Sequence, residues 1–529
     1  MASAASAPPA PSVVVDDHSL SRVPMSARYG WFQVAVQRFG QISALSQFLL
    51  GATLGFGMGF WEAFWAITLG AVILEVVSVF VGVIGMREGL NTSVIARWTG
   101  FGKAGSALVG LAIGLSLIGW FGIQSGVSAA GLVAILPVLP AWAWSLVFGL
   151  LVTAIVLRGF HSMQWLANVT VPLFLVLVGW AVVVELSKHS LAELAAKAPA
   201  GPELSFVAGT TLVAGGFIVG AVITPDMTRF NRSVGDVVKQ TALGVTLGEY
   251  VIGLAGVLLA HAVGSSDITR VITSSVGWVG ILVILLGTFK INDWNIYSSS
   301  LGVTNFIDVV FGKKVNRGVV TLVLGVVGSL LAAVGFLDAF TPFLIVLGVV
   351  FPPIAGIMIA EYFVVKRWRP ELSASEGLPP TSPTWVPATL VIWAVAAVVG
   401  YFVAVGIPSI NSVVIAFVLY VVAGKAGLVR GLGVSRTEAA PVAAAVPAPA
   451  TRRRCRPPRS GTVAPGPAVG VPPRRPPPPP DGSPASTSGP HGSAPPRSTP
   501  KGTPCASAST SAARTRTPSS WTAARSPRP

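Results

Sequence analysis

The chain has 529 residues, a mean hydropathy of +0.72 and only 11% charged residues. A soluble protein of this length carries roughly 25% charged residues, so an ordinary water-soluble fold is excluded and a membrane protein is indicated. The formal net charge of +16 does not point to nucleic acid: from Ser435 onward there are 14 basic and 2 acidic residues, whereas residues 1–434 hold 22 and 18.

Residues 1–20 are small and Pro-rich and read as disordered. No cleavable secretory signal is expected, because Asp16, Asp17, Arg22, Arg28 and Arg38 precede the first long apolar run. Residues 1–35 form an N-terminal segment. Twelve apolar runs follow, each near the ~20 residues that cross a bilayer as a helix. They cover 36–58, 61–85, 104–133, 141–158, 163–186, 205–225, 238–264, 275–306, 316–335, 338–363, 385–406 and 408–426. The expectation is an all-α integral membrane protein with twelve transmembrane helices over residues 36–427. With the N-terminus inside, cytoplasmic segments carry 18 basic residues and the outside loops only Lys188, Lys197 and Arg270. That asymmetry obeys the positive-inside rule and places both termini in the cytoplasm. Lys188 to Ser205 contains a short amphipathic stretch, LAELAAK, and Pro370 to Pro383 reads as a polar loop.

From 428 to 529 the chain becomes a basic tail rich in Pro, Arg and Ser, with too little aliphatic periodicity to bury a core. A tail resting on anionic lipid is one reading, and an out-of-frame extension of a GC-rich gene is another. Its two cysteines, Cys455 and Cys505, say nothing about a disulfide framework in the core.

Two glycine-dense stretches stand out: GATLGFGMG at 51–59, preceded by the polar residues Gln41, Ser43, Ser46 and Gln47, and GGFIVGAVIT at 215–224. Interrupted helices at matching places in two halves of a transporter mark a midplane substrate site. Small residues also pack helices together, and composition leaves both readings open.

Ionisable and amide groups inside a bilayer are costly and are functional candidates by default. Span eight holds a cluster of them: Lys290, Asn292, Asp293, Asn295, Tyr297 and Ser298 to Ser300. Lys290 and Asp293 are three apart, share a helix face and can neutralise each other. They also fit a buried ion pair that only orders the helix. In span three Trp120 and Gln124 are four apart; an indole stacks on a planar ring and an amide reads its polar edge. Glu75 and Glu249 could relay protons or pair within the bundle. Asp226 before Arg229 fits a structural salt bridge. His161 and His261 are isolated, so no metal site is expected. No Walker loop, nucleophile elbow or zincin helix occurs, so neither an enzyme nor a bound cofactor is expected, and no aromatic-interleaved basic face suggests nucleic-acid binding.

Seven ordered motifs resemble one family: VPMSAR at 23–28, GATLGFGMG at 51–59, IGMREGLNTSVIAR at 84–97, GWFG at 119–122, GGFIVGAVITPDMTRFNR at 215–232, NDWNIYSSSLGVTN at 292–305 and FPPIAGIMIAEY at 351–362. The chain resembles the nucleobase:cation symporter-1 family, most closely its bacterial cytosine permease branch, over residues 16–430. The resemblance implies a LeuT-like fold with 5+5 inverted repeats at about 36–186 and 205–363, broken helices 1 and 6, and peripheral helices at 385–426. It implies substrate binding by Trp120, Gln124, Asn292 and Asp293, by Gly215, Gly216 and Gly220 in an unwound part of span six, and near Ser43 and Ala44 in span one. Sodium-coupled members place hydroxyl residues just before the Asn-Asp pair, where this chain has Lys290 and Ile291. Lys290, with Asp293, then becomes a coupling candidate that stands in for sodium, with proton coupling as the consequence. A slipped alignment would leave sodium possible, so H+ or Na+ stays open.

The leading expectation is therefore a symporter importing a nucleobase, cytosine first, then purines, allantoin, hydantoin or hydroxymethylpyrimidine. Its expected partners are that small molecule and membrane lipid. An amino-acid transporter of the same fold suits the flat-ring pairing less well. A membrane sensor signalling through the tail would need a signalling domain that the sequence does not provide.

Overall fold

The computed structural model describes residues 21–437 except 158–171, 174, 185, 186 and 404. Arg158, His161, half of the run at 163–186 and the tail from 438, with Cys455 and Cys505, lie outside the described residues.

Among the described residues, six helices are long and apolar enough to cross a membrane: Phe60–Glu88, Arg97–Ile135, Val234–Val263, Val279–Phe311, Phe336–Val365 and Pro408–Lys425. Six shorter apolar helices complete the set: Leu45–Gly57, Ala141–Leu157, Leu175–Val184, Phe206–Val222, Arg317–Ala333 and Pro387–Phe402. Each falls on one of the twelve apolar runs, so the runs are kept here as spans one to twelve. Their exposed faces carry large apolar side chains such as Trp61, Trp65, Val76, Val176, Val327 and Val418, as a lipid-facing surface requires.

Span one is broken. Its first half is Trp31–Ile42, the chain turns at Ser43 and Ala44, and the second half is Leu45–Gly57. The glycine-dense stretch 51–59 is not where it unwinds. Gly51 and Gly55 are helical and face span seven, where an added Cβ would come within 2.0 Å of the Gly253 carbonyl and 2.6 Å of the Val257 carbonyl. Here the packing role of small residues accounts for the glycines.

Span six follows the same logic. Phe206–Val222 is one continuous helix through Gly215, Gly216 and Gly220, and the irregular turn comes later, at Ile223 and Thr224, before a short helix at Pro225–Thr228. The expectation that the three glycines line an unwound stretch is therefore corrected. A Cβ on Gly215 would lie 2.0 Å from the Leu344 carbonyl of span ten, so contact between backbones selects glycine there.

Spans three and eight form the longest helix pair and lie against each other. Gly110, Gly114 and Gly302 make the close approach: a Cβ on Gly302 would sit 2.4 Å from the Gly110 carbonyl. Span seven contains a π-helical segment at Glu249–Gly253.

The end of the bundle where the chain enters is tied by residues of the motif at 23–28 and its neighbour Arg22. Arg22 forms a salt bridge with Glu88 at 2.8 Å and donates to the Leu372 carbonyl. Arg28 donates to the carbonyls of Val23, Met86 and Asn231, joining the entry segment to the ends of spans two and six. Asp226 accepts from the Thr92 amide at 2.7 Å, so its carboxylate also holds an inter-helix connection.

The all-α expectation has one exception. Strand β1 (Thr381–Trp385) pairs antiparallel with β2 (Leu432–Arg436). The first starts in what read as a polar loop and ends on the first residue of the run at 385–406, and the second falls inside the segment from 428 that read as tail. Thr381, Ser382, Ser435 and the flanking prolines gave no alternation that would mark strands.

Gly215→Ala should destabilise the protein by about 1–3 kcal/mol, the usual cost of overpacking. Thermal unfolding in detergent checks this, with Gly40→Ala as the control, because a Cβ at Gly40 meets nothing within 4 Å.

Candidate functional site

The candidate residues fall into two groups joined by span ten. The first group lies between spans three and eight. Trp120 is 9% exposed and packs edge-on against Phe343 and Phe340 of span ten, with ring centroids at 5.4 and 6.2 Å. One turn further on, Gln124 is 1% exposed and its Nε2 has no hydrogen-bond partner. Buried amide nitrogens are rarely left so, and an unpaired donor beside an indole is the kind of vacancy a polar ring edge fills.

Asn292 behaves differently from the expectation that it faces a ring. Its Nδ2 donates to the Phe121 carbonyl at 3.2 Å and to Ser125 Oγ at 3.0 Å, and its Oδ1 accepts from Asn295 Nδ2 at 3.1 Å. Both amide hydrogens are thus spent on span three. Ser128 and Thr288 hydroxyls meet at 2.5 Å and add a second tie between the same spans. Lys290 Nζ donates to Asp293 Oδ1 at 3.2 Å, while Asp293 Oδ2 is buried and unpartnered. The lysine side chain keeps 23% of its surface exposed and the aspartate none. Among the described residues, no hydrogen bond joins Lys290 or Asp293 to span one.

The second group lies at the break of span one. Ser43 Oγ and Gln41 Oε1 are buried without partners beside Ala44. Gly216 faces this segment: a Cβ there would lie 3.0 Å from Leu50 Cδ2 and 4.0 Å from Gln47 Oε1. Gly220 contributes its carbonyl, which accepts from Arg38 Nη1 at 3.0 Å. Span ten bridges the two groups, since its Leu344 carbonyl rests on Gly215 while Phe343 and Phe340 rest on Trp120.

Gln47, Glu249 and Arg38 complete this region. Gln47 Nε2 donates to Glu249 Oε2. Arg38 is fully buried, donates to Thr224 Oγ1 at 2.6 Å as well as to Gly220, and lies 5.7 Å from the Phe217 ring centroid. Each is a polar residue inside an apolar run; that signal marks Glu249 as a candidate proton relay in the sequence and applies equally to Arg38, which lies outside the expected site. A separate cleft of about 290 Å³ opens near the chain's entry, lined by Tyr29, Gln33, Val34, Gln37, Met227 and Phe230. It contains none of the expected site residues.

Two broken helices held among ten others define a secondary transporter of the LeuT-like architecture. The solved structure of Mhp1 in its inward-facing conformation shares this fold, with a TM-score of 0.66 at 20% identity, covering 77% of this chain and 92% of Mhp1. Residues 22–428 match the family described as permease for cytosine/purines, uracil, thiamine, allantoin, and the chain belongs to that family. The cytosine permease of Escherichia coli (strain K12) is 29% identical over 405 residues, 75% of this chain and 92% of that permease. The hydantoin permease of Microbacterium maritypicum is 26% identical over 373 residues, 65% of this chain and 74% of that protein. The chain is thus a multi-pass membrane transporter of a small molecule and not an enzyme.

Asn292→Ala should lower stability by about 1–3 kcal/mol with no substrate present, because it removes both hydrogen bonds to span three and leaves the buried Asn295 amide without its acceptor. Thermal unfolding of the unliganded protein in detergent checks it; an unchanged midpoint would show that the tie between spans three and eight is dispensable.

Proposed function

We propose that this chain imports a nucleobase, cytosine first, across the cytoplasmic membrane by alternating access, with both termini in the cytoplasm. The observation that carries the reading is the buried, unpartnered Gln124 amide nitrogen one turn from Trp120. A flat heterocycle with a carbonyl or ring nitrogen at its edge satisfies both groups at once. Purines, allantoin, hydantoin and hydroxymethylpyrimidine offer related edges and are the competing substrates. The cytosine and hydantoin permeases among its relatives support this class of ring. The two glycine-bearing helices at the break, with Ser43, Ala44 and Gly216, form the opposite wall.

Proton coupling is the reading the charges favour. Lys290 and Asp293 form a neutral pair within span eight, and an ammonium at that point disfavours a bound sodium ion. Rocking of one repeat against the other then exposes the site to either side in turn.

Uptake of radiolabelled cytosine by cells expressing the full chain tests the function. Uptake should ignore sodium and collapse with a proton uncoupler, and Gln124→Ala should raise KM roughly tenfold, the worth of one hydrogen bond of about 1.4 kcal/mol. Cytosine uptake that requires sodium would keep the substrate and overturn the coupling. Absence of cytosine uptake by protein in the membrane, with uptake of a purine or hydantoin instead, would replace the substrate.

A further inference from the structure

We propose that Glu249 of span seven is the proton-binding site of the transporter and that Gln47 relays its protonation to the substrate side of the break in span one. The inference rests on the transport reading above and adds a site to it.

Glu249 has no surface exposed. Its Oε2 accepts from Gln47 Nε2, and its Oε1 is buried without a partner. No cationic side chain forms a salt bridge with it among the described residues. An isolated carboxylate in a low-dielectric interior is expensive, and such groups mark proton pathways. The charged groups on the elements packed against it are few. The second half of span one, Leu45–Gly57, has none. The first half has Arg38, committed to Gly220 and Thr224. Span seven itself carries Asp236, which caps the helix start with Ser233, Lys239, more than two turns away in sequence, Tyr250, whose hydroxyl meets Thr68, and His261, three turns further on, whose ring nitrogens face the Leu194 and Met58 carbonyls. Span two has Glu62, Glu75, Arg87 and Glu88. Of these Glu75 is another carboxyl, held by the Thr246 hydroxyl at 2.5 Å one turn before Glu249.

The backbone around Glu249 is specialised as well. Glu249 begins the π-helical segment at 249–253, one of three among the described residues and a feature frequently found at functional sites. The same segment packs on the second half of span one, and Gly253 places its carbonyl against Gly51. A change at Glu249 therefore acts directly on the second half of the broken helix.

The group facing Glu249 also favours a proton over a metal cation. A cation site presents oxygens, whereas here Gln47 presents an N–H donor. The ionised carboxylate accepts from this N–H, which leaves Gln47 Oε1 turned toward Gly216. The protonated acid instead donates its O–H, and the amide satisfies it best by rotating Oε1 toward Glu249 and Nε2 toward Gly216. One proton, taken from water on one side and released to water on the other, thus exchanges an acceptor for a donor at the break between spans one and six.

The test uses the full chain in proteoliposomes containing a pH-sensitive dye, with cytosine as the probe, together with infrared difference spectra on acidification. The wild type should move protons with cytosine and show a carboxylic-acid band that titrates. In Glu249→Gln the protons moved per cytosine should fall at least tenfold and the band should vanish. In Glu249→Asp the band should shift and proton movement should return. A band that is unchanged in Glu249→Gln, or unchanged proton movement per cytosine, overturns the proposal. Should Glu249→Gln not fold, a band left unshifted in Glu249→Asp overturns it equally. If the wild type moves no cytosine, the substrate reading fails, while a band that titrates and is lost in Glu249→Gln still upholds the proton site.

Discussion

A helix that stops within a bilayer leaves its last carbonyls without donors, and water is not there to supply them. Arg38 meets that requirement at span six. Its guanidinium comes from the first half of span one and donates to Gly220 and Thr224 at the end of the helix Phe206–Val222. The negative end of the helix dipole adds to the attraction. Gly244 of span seven makes room for the arginine stem, since a Cβ there would come within 2.6 Å of Arg38 Cγ. Three spans therefore converge on one buried cation, and both broken helices are held by it. Hydrogen bonds from a charged donor are worth about 1.5–3 kcal/mol each, so the contact ties the end of span six to the first half of span one.

The twelve spans were legible because a run of ~20 apolar residues has no other common use in such a chain. The positions of the breaks were not. Glycine density reports close approach of backbones as readily as it reports unwinding, and Gly51, Gly55 and Gly215 turned out to be approach points. The polar cluster Gln41 to Gln47 was the better pointer, since Ser43 and Ala44 lie within it at the actual break. Asn292 carried a similar ambiguity. An amide suits a heterocycle and a neighbouring helix equally, and only the positions of Phe121 and Ser125 decide between them. The β1–β2 ribbon was invisible because its strands are far apart in sequence, with Ser382 paired to Ser435, and lack alternating hydrophobicity.

Charge inside the bundle is arranged in separate pieces. Lys290 and Asp293 neutralise each other along one helix. Arg38 is spread over a carbonyl, a hydroxyl and a ring face. Glu361 near the end of span ten accepts from the Trp368 amide and the Tyr420 hydroxyl, and Tyr362 donates to Glu88. Glu249 accepts on one oxygen from Gln47, and its other oxygen is buried without a partner.

The ribbon between Thr381–Trp385 and Leu432–Arg436 closes around the last two spans and touches the start of span three, where Trp98 Nε1 donates to the Thr381 carbonyl at 3.2 Å. Its second strand is made by the ribosome only after all twelve spans have been synthesised. The clasp can therefore form only after every span has been made: the helices come first in synthesis, and the seal across helices eleven and twelve comes last.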